Sequence, residues 1–410
     1  MAREMKDSGI AWIGEVPKDW KIKKLKYCSS FVQEKYDESY ADYSYIGLEN
    51  IVSWSGKFTE TESSYDKTQS VIFHEDDILW GKLRPYLAKV YHCKDSGCCS
   101  SEFCVIRINA DQDIRYFWNL LISSEFIATI DRSTYGTKMP RANSDFIRNT
   151  FIPVPPLNEQ KEIAKYLDIE CGHIDAVMEQ TRASIEDYKK LKQAVITQAV
   201  TKGIRPNHPM KDSGVDWIGA IANDFQVMKL KYICDILDNF RSPITADQRN
   251  QDAEILYDYY GASGAIDKID GYTIDDHVML IGEDGANLRM RNLPLMYEVN
   301  GKAWINNHAH ILKPKNNIQF YYLFFALEAL DINPYITGSA QPKLSQENLQ
   351  NIWVPVPSCE EQIEIVNYIQ NKINVIDAIK KKKEDFLNEM DLYKKSVIFE
   401  YVTGKKEVPL

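Results

Sequence analysis

The sequence predicts an α+β fold written twice: two pseudo-symmetric α+β domains separated by two long helices packed as an antiparallel coiled coil. Three observations carry this expectation. Residues 5–14, MKDSGIAWIG, return at 210–219 as MKDSGVDWIG, and Lys24-Leu25-Lys26-Tyr27 returns at the same offset as Lys229-Leu230-Lys231-Tyr232. Each copy later runs through a matching loop and strand, with FIPVPPLNEQKEIAKYL at 151–167 answered by WVPVPSCEEQIEIVNYI at 353–369. Behind each strand, apolar residues recur at intervals of three and four. The boundaries drawn from these blocks are domains at 1–157 and 204–358, with helical spacers at 158–203 and 359–404.

Within each copy the ends match and the contents do not. Residues 30–130 and 235–330 share little, so a fixed frame carries variable interiors. In the first interior, Val71-Ile72-Phe73, Ile78-Leu79-Trp80, Ala88-Lys89-Val90-Tyr91 and Phe103-Cys104-Val105-Ile106 are short, β-branched and aromatic, which predicts strands. Helical spacing appears over Ile114–Ile130 and again over Ile318–Leu330. The repeated loop, Tyr135-Gly136-Thr137-Lys138-Met139-Pro140-Arg141 against Thr337-Gly338-Ser339-Ala340-Gln341-Pro342-Lys343, precedes the Pro-Val-Pro strand, where proline ends pairing. Then Ile174, Val177, Thr181, Ile185, Tyr188, Leu191, Val195 and Ala199 form one apolar seam, about 40 Å long at 1.5 Å per residue. Ile376, Ile379, Phe386, Met390, Tyr393 and Val397 form a second. Two such seams can bury each other; the alternative is that each helix packs on its own domain.

The chain has 410 residues with 44% hydrophobic and 26% charged residues, which suits more than one ordinary globular domain. No apolar run approaches a membrane span and the charged start has no signal-peptide core, so a soluble intracellular protein is expected. The eight irregularly spaced cysteines are read as free thiols. A net charge of −10 lowers the expectation of nucleic-acid binding, yet residues 210–350 alone hold 12 basic against 19 acidic residues, while 1–150 hold 20 against 22. The excess is local, and a basic face elsewhere remains compatible with it.

Several chemistries lack their residues. Asn333-Pro334-Tyr335 misses the second proline of an adenine-methyltransferase motif, Gly261-Ala262-Ser263-Gly264 is a weak glycine pair, and no Walker A string occurs. His74-Glu75-Asp76-Asp77 reads as a solvated turn before a strand. His92, Cys93, Cys98, Cys99 and Cys104 match no common zinc spacing and read as core, and Lys380–Lys383 as a wet helix face. Neither a catalytic residue nor a metal ligand is expected. Turn-borne polar groups are the better candidates, because Arg and Lys suit guanine edges and Asn and Gln suit adenine edges. In the first copy these are Lys82, Arg84, Lys138 and Arg141. In the second they are Asn287, Arg289, Arg291, Asn306, Asn307, His308, Gln341 and Lys343.

With its doubled MKDSG-x-x-WIG opening, Gly-to-Pro loop, Pro-Val-Pro strand, Glu-Gln helix start and Ile-Asp-Ala helix (174–176, 376–378), the chain resembles specificity subunits of type I restriction-modification systems over nearly its whole length. Ala222 stands where the first copy has Pro17, a departure assigned to a surface turn. The resemblance implies a noncatalytic DNA-binding subunit in a prokaryotic cytoplasm, with two target recognition domains that each read one half of a bipartite target. The paired helices would fix the half-site distance and dock two methyltransferase subunits, with restriction subunits completing the complex. It implies no cofactor here: S-adenosylmethionine would sit in the methyltransferase partner, ATP and magnesium in the restriction partner. Two other readings compete. A protein-binding scaffold needs the helical seams but not the turn-borne sets. A nuclease needs clustered carboxylates, for which Glu75, Asp76, Asp77, Asp275 and Asp276 are the faint candidates.

Overall fold

The structure, a computed structural model, describes residues 3–409 except 41, 62–66, 137, 208, 217, 246, 248 and 250–252, and the side chain of Glu38. Thr137 of the repeated loop and Trp217 of the repeated opening therefore lie outside the described residues. The chain divides into two compact units, Met1–Arg182 with Glu384–Leu410, and Ala183–Lys383.

In the first unit, β1 (Met5–Asp7) pairs antiparallel with β2 (Glu15–Pro17). The chain continues through β3 (Lys21–Lys24), β4 (Ser29–Val32), β5 (Tyr45–Ile46), β6 (Val71–Phe73), β7 (Ile78–Gly81), β8 (Val90–His92), β9 (Gly97–Cys99) and β10 (Phe103–Ile108). The strands sort into a sheet of order β4-β10-β7-β8 and a smaller one of order β5-β9-β6. Helices α1 (Ile114–Ile122), α2 (Ser124–Asp131) and α3 (Ser144–Asn149) follow, and β11 (Phe151–Val154) returns to pair with β3 before the long α4 (Leu157–Lys202). Trp20, Trp80, Tyr116, Phe117 and Phe126 fill the core between sheet and helices.

The second unit repeats the frame with β12 (Met210–Asp212), β13 (Ala220–Ala222), β14 (Gln226–Lys229) and α5 (Leu230–Ile233). Its interior differs: β15 (Cys234–Ile236), β16 (Tyr257–Gly261), β17 (Gly264–Ile269), β18 (Ile274–Gly282), the short α6 (Asn287–Met290), β19 (Met296–Ile305) and β20 (Ala309–Pro314) make one sheet of order β15-β20-β18-β19-β16-β17. Then α7 (Phe320–Glu328) and α8 (Gln346–Gln350) lead to β21 (Trp353–Val356), which pairs with β14, and to α9 (Cys359–Val402). The expected α+β class with two long helices is the one observed.

The frame repeats down to single hydrogen bonds. Gln160, buried at the start of α4, accepts from the Asp113 N–H (2.8 Å) and donates to the Pro155 carbonyl (2.9 Å). Gln362, at the start of α9, does the same with Gln319 (2.8 Å) and Pro357 (3.1 Å). The buried Tyr116 hydroxyl donates toward the carbonyls of Pro153 (3.0 Å) and Val402 (2.9 Å), and that of Tyr322 toward Pro355 (2.9 Å) and Val200 (3.3 Å). Each tyrosine thus ties the first helix after the sheet to a Pro-Val-Pro strand and to the last turn of a long helix. Buried carbonyls left without a donor cost roughly 1–3 kcal/mol, so these ties hold the frame in one geometry.

The long helices meet antiparallel in each unit. In the first, the Tyr166 and Tyr401 rings lie 4.5 Å apart and Lys394 Nζ is 2.7 Å from Asp175. In the second, Lys192 Nζ is 2.8 Å from Asp377 and the Lys383 ammonium lies over the Tyr188 ring.

Five expectations need correction. The strand expected from Ala88 starts at Val90, because Ala88 adopts left-handed backbone (φ 46°). The helix expected over Ile114–Ile130 breaks at Ser123, which turns extended and donates its hydroxyl to Leu120 O at 2.7 Å. The seam of α4 runs through Met178 and Ile196, leaving Val177 (42%) and Leu191 (47%) exposed; on α9, Phe386 and Tyr393 are exposed too. Pro17 and Ala222 are buried rather than in a surface turn. The turn at His74 is not wholly solvated: Asp77 is buried, accepts from the His74 N–H and receives Arg107 through two hydrogen bonds of 2.8 Å.

Candidate nucleic-acid interface

The repeated loop lies against the end of a central strand in both units, and its backbone is fixed the same way twice. In the first unit, Tyr135 and Arg141 exchange backbone hydrogen bonds (3.3 and 3.1 Å), Arg84 N–H donates to Pro140 O (2.7 Å) and Ala142 N–H to Lys82 O (2.9 Å). In the second, Thr337 and Lys343 exchange bonds of 2.9 and 2.8 Å, Gly285 N–H donates to Pro342 O (3.1 Å) and Leu344 N–H to Glu283 O (2.7 Å). Gly136 (φ 89°) and Gly338 (φ 79°) supply the left-handed turn that a side chain would strain. This correspondence equates Lys82-Leu83-Arg84, after β7, with Glu283-Asp284-Gly285, after β18. One backbone cradle presents a basic segment in one unit and an acidic one in the other.

Arg84 is the sharpest difference. It holds left-handed backbone (φ 50°) in front of a proline, a conformation costing about 1–2 kcal/mol for a residue with a Cβ. Its counterpart Gly285 (φ 108°) holds the same region at little cost. The Arg84 side chain is exposed, and among the described residues no carboxylate pairs with it. The same turn holds Ala88 in left-handed backbone as well (φ 46°), so the strain belongs to the turn, and Arg84 is its exposed cation.

The remaining candidates fall into two groups. Lys138, Arg289 and Gln341 are exposed, Arg289 donating to Gly338 O at 3.3 Å, and Lys82 is half-buried beside a cleft of about 580 Å³ lined by Phe31, Gln69, Phe103 and Ser144. The others bind within their own unit. Arg141 pairs with Glu102, and Lys343 with Glu283 (3.1 Å). Asn287 accepts from the Leu293 N–H (2.8 Å) and Arg291 donates to the carbonyls of Glu328 (2.6 Å) and Leu330 (2.8 Å), so both build the turn after β18. Asn306 is buried and accepts from the His308 N–H (2.8 Å); the His308 ring lies 2.8 Å from Asp284, and Asn307 is exposed.

Beneath the second loop lies a cluster that no sequence pattern announces. The buried His310 ring lies 2.6 Å from Asp238 and 2.8 Å from Leu344 O, and Arg241 bridges Asp238 (3.2 Å) and Glu283 (2.5 Å). Burial alone would raise the Glu283 pKa, but hydrogen bonds from Arg241 and Lys343 outweigh it and hold the carboxyl below its usual range. Exposed apolar side chains also flank the loops, with Tyr86, Tyr135 and Met139 in the first unit and Met290 and Leu293 in the second. Cys93, Cys98, Cys99 and Cys104 are buried, and burial pushes their thiols up. Among the described residues no helix is long and apolar enough to cross a membrane.

The chain matches a family model described as the type I restriction modification DNA specificity domain twice, at residues 17–187 and 222–389. It is 24% identical to the type I restriction enzyme MjaVIII specificity subunit of Methanocaldococcus jannaschii, covering 96% of this chain and 94% of that one. It is also 21% identical to the EcoBI specificity subunit of Escherichia coli over 81% of this chain and 74% of that one. Among solved structures, a chain from work on complex assembly and conformational transition of a type I R-M system superposes with a TM-score of 0.75 at 17% identity, over 95% of this chain and 99% of that one. The HsdS subunit of Thermoanaerobacter tengcongensis gives 0.51 at 20% identity, over 95% and 98%. These likenesses concern the fold.

Proposed function

The chain belongs to the family of type I restriction modification DNA specificity domains, and from that premise we propose that it is the sequence-reading subunit of a type I restriction-modification complex. Each unit reads one half of a bipartite DNA target. The observation that carries this reading is the single cradle with two contents: Lys82-Leu83-Arg84 against Glu283-Asp284-Gly285 on matching backbone hydrogen bonds. A scaffold that bound the same protein twice would keep the same contents in both cradles, and these differ.

Arg84 is assigned to a guanine edge, where its fork can donate to O6 and N7 together, and Gln341 with Arg289 to the second half-site. Lys82 and Lys138 flank the first. The chain is noncatalytic. Adenine methylation needs the base turned out of the stack into a pocket that holds S-adenosylmethionine, and a methyltransferase partner supplies that pocket. ATP and magnesium serve a restriction partner. The outward apolar residues of the long helices support docking of two methyltransferase subunits there: Val177 and Leu392 in the first unit, Leu191 and Val375 in the second.

Co-expression of the chain with its methyltransferase partner, followed by mapping of N6-methyladenine across the host genome, tests the reading. The expected result is one split motif methylated only when both proteins are present. A co-purifying complex that adds no methylation would overturn it.

A further inference from the structure

Residues that the two copies share mostly have a task inside the fold. Lys6 donates to Trp20 O (2.7 Å) and Lys211 to Asn223 O (2.7 Å); Asp7 and Asp212 accept from the N–H of Gly9 and Gly214 in the same turn. Leu25 and Leu230 are buried, and the ammoniums of Lys24 and Lys229 sit 5.3 and 5.1 Å over the rings of Phe151 and Trp353. Lys26-Tyr27 and Lys231-Tyr232 do not fit this account. Tyr27 is 63% and Tyr232 61% exposed, and among the described residues neither hydroxyl has a partner and neither lysine has a carboxylate. Each lysine instead rests over its neighbour's ring, at 5.4 and 5.2 Å. Asp235, near the second pair, faces Lys315 at 3.5 Å.

A Lys-Tyr pair with its ring in solvent, repeated in two units whose reading loops differ, points to something the two half-sites have in common. Base edges differ between half-sites, whereas the sugar–phosphate backbone does not. Placement agrees. The turn carrying Lys26 is hydrogen-bonded to the end of α3 (Leu25 N–H to Thr150 O, 3.0 Å), and the one carrying Lys231 to the end of α8 (Leu230 N–H to Ile352 O, 2.8 Å). Both helices start just after the reading loop and are short, about 9 Å for α3 and about 7.5 Å for α8 at 1.5 Å per residue. In each unit a single short helix therefore separates the pair from the reading loop. Lysine ammoniums and tyrosine hydroxyls are regular phosphate partners, and the ring beneath each ammonium restricts where it points.

We propose that Lys26-Tyr27 and Lys231-Tyr232 are phosphate clamps, one per unit, that grip the DNA backbone beside each half-site without reading its bases. This rests on the DNA-reading function above. The test uses the full chain co-purified with its methyltransferase partner, and duplexes that carry or scramble the mapped target, titrated from about 50 to about 200 mM salt, where phosphate contacts dominate the salt dependence. The double variant Lys26→Ala/Lys231→Ala is expected to weaken both duplexes by one common factor. It should also flatten the slope of log affinity against log salt by about 0.9 per lysine, while the methylated motif stays the same. Lys26→Arg/Lys231→Arg, which keeps the charge, should restore the slope. An unchanged slope in a folded complex overturns the clamps; so does weakening confined to the target duplex, which would mean base reading, or loss of the methyltransferase from the complex, which would mean a protein-docking surface. Failure of the unaltered complex to prefer its target would instead remove the DNA-reading function, and the clamps with it.

Discussion

The two units agree where the chain must be held and differ where it meets solvent at the loops. Tyr116 and Tyr322, or Gln160 and Gln362, make the same bonds to equivalent partners, while the cradle beside them carries Arg84 in one unit and Gly285 in the other. Drift after a duplication would loosen both classes alike. Identity in the frame beside divergence in the loop separates the residues that build a reader from those that decide what is read.

The strongest test of that separation exchanges contents and keeps the frame. Replacing residues 20–150 with the matching stretch of a relative should change one half of the methylated motif completely and leave the other half intact, as read by methylation mapping. Changes in both halves would show that the frame also reads. Next come the frame tyrosines. Tyr116→Ala and Tyr322→Ala should each cost about 3–5 kcal/mol in denaturant melts, and the Phe variants, which keep the ring but strand two carbonyls, about 1–3 kcal/mol. Near-equal losses within each pair are expected; a large inequality would break the equivalence of the two frames.

Arg84→Gly sharpens the comparison from the other side. It gives the first cradle the glycine of the second, so the melt should move up by as much as about 1 kcal/mol as left-handed strain is relieved. Discrimination at one G·C position of the first half-site should fall by about 1–3 kcal/mol, measured as relative affinity for duplexes altered at that position. Stability and specificity moving in opposite directions identify a side chain kept for reading. A loss of stability with unchanged specificity would make Arg84 a structural residue.

The frame was legible in the sequence because repetition exposes it: MKDSG, Pro-Val-Pro and the Glu-Gln start need only self-comparison, and β-branched runs such as Val71-Ile72-Phe73 betray strands by composition. Tyr116 and Tyr322 were not legible, since each is one aromatic among several in IRYFWNLLI and FYYLFFALE, and only the fold selects which ring meets the carbonyls. The helix seams were half legible. Val177 and Leu191 keep the periodicity yet face outward, because apolar spacing counts residues without knowing which side meets the other helix. Among the site candidates, Asn287, Arg291 and Asn306 have residue types suited to base edges, but their side chains hold turns; Glu283, with Asp238 and His310 far along the chain, offers no local pattern at all.

The smallest effect lies between the long helices, where the repeat crosses itself. Asp175 and Asp377 occupy the same place in the two Ile-Asp-Ala segments, and Lys192 and Lys394 are matched in the same way. Asp175 pairs with Lys394 and Lys192 with Asp377, so in each ion pair one copy supplies the acid and the other the base. The step from Asp175 to Lys192 along α4 equals the step from Lys394 back to Asp377 along α9, which is the register that an antiparallel pair of repeats demands. Both pairs are partly solvated, so each should contribute no more than about 0.5–1 kcal/mol. Asp175→Lys alone sets two cations together and should lower the melt; Asp175→Lys with Lys394→Asp should recover most of it, giving a coupling of that size in a double-mutant cycle. The same cycle at Lys192 and Asp377 should return a similar value. A coupling absent from both cycles would leave the register to the apolar seam alone, with Ile174, Met178 and Ile185 on α4 and Ile376 on α9 deciding it by burial.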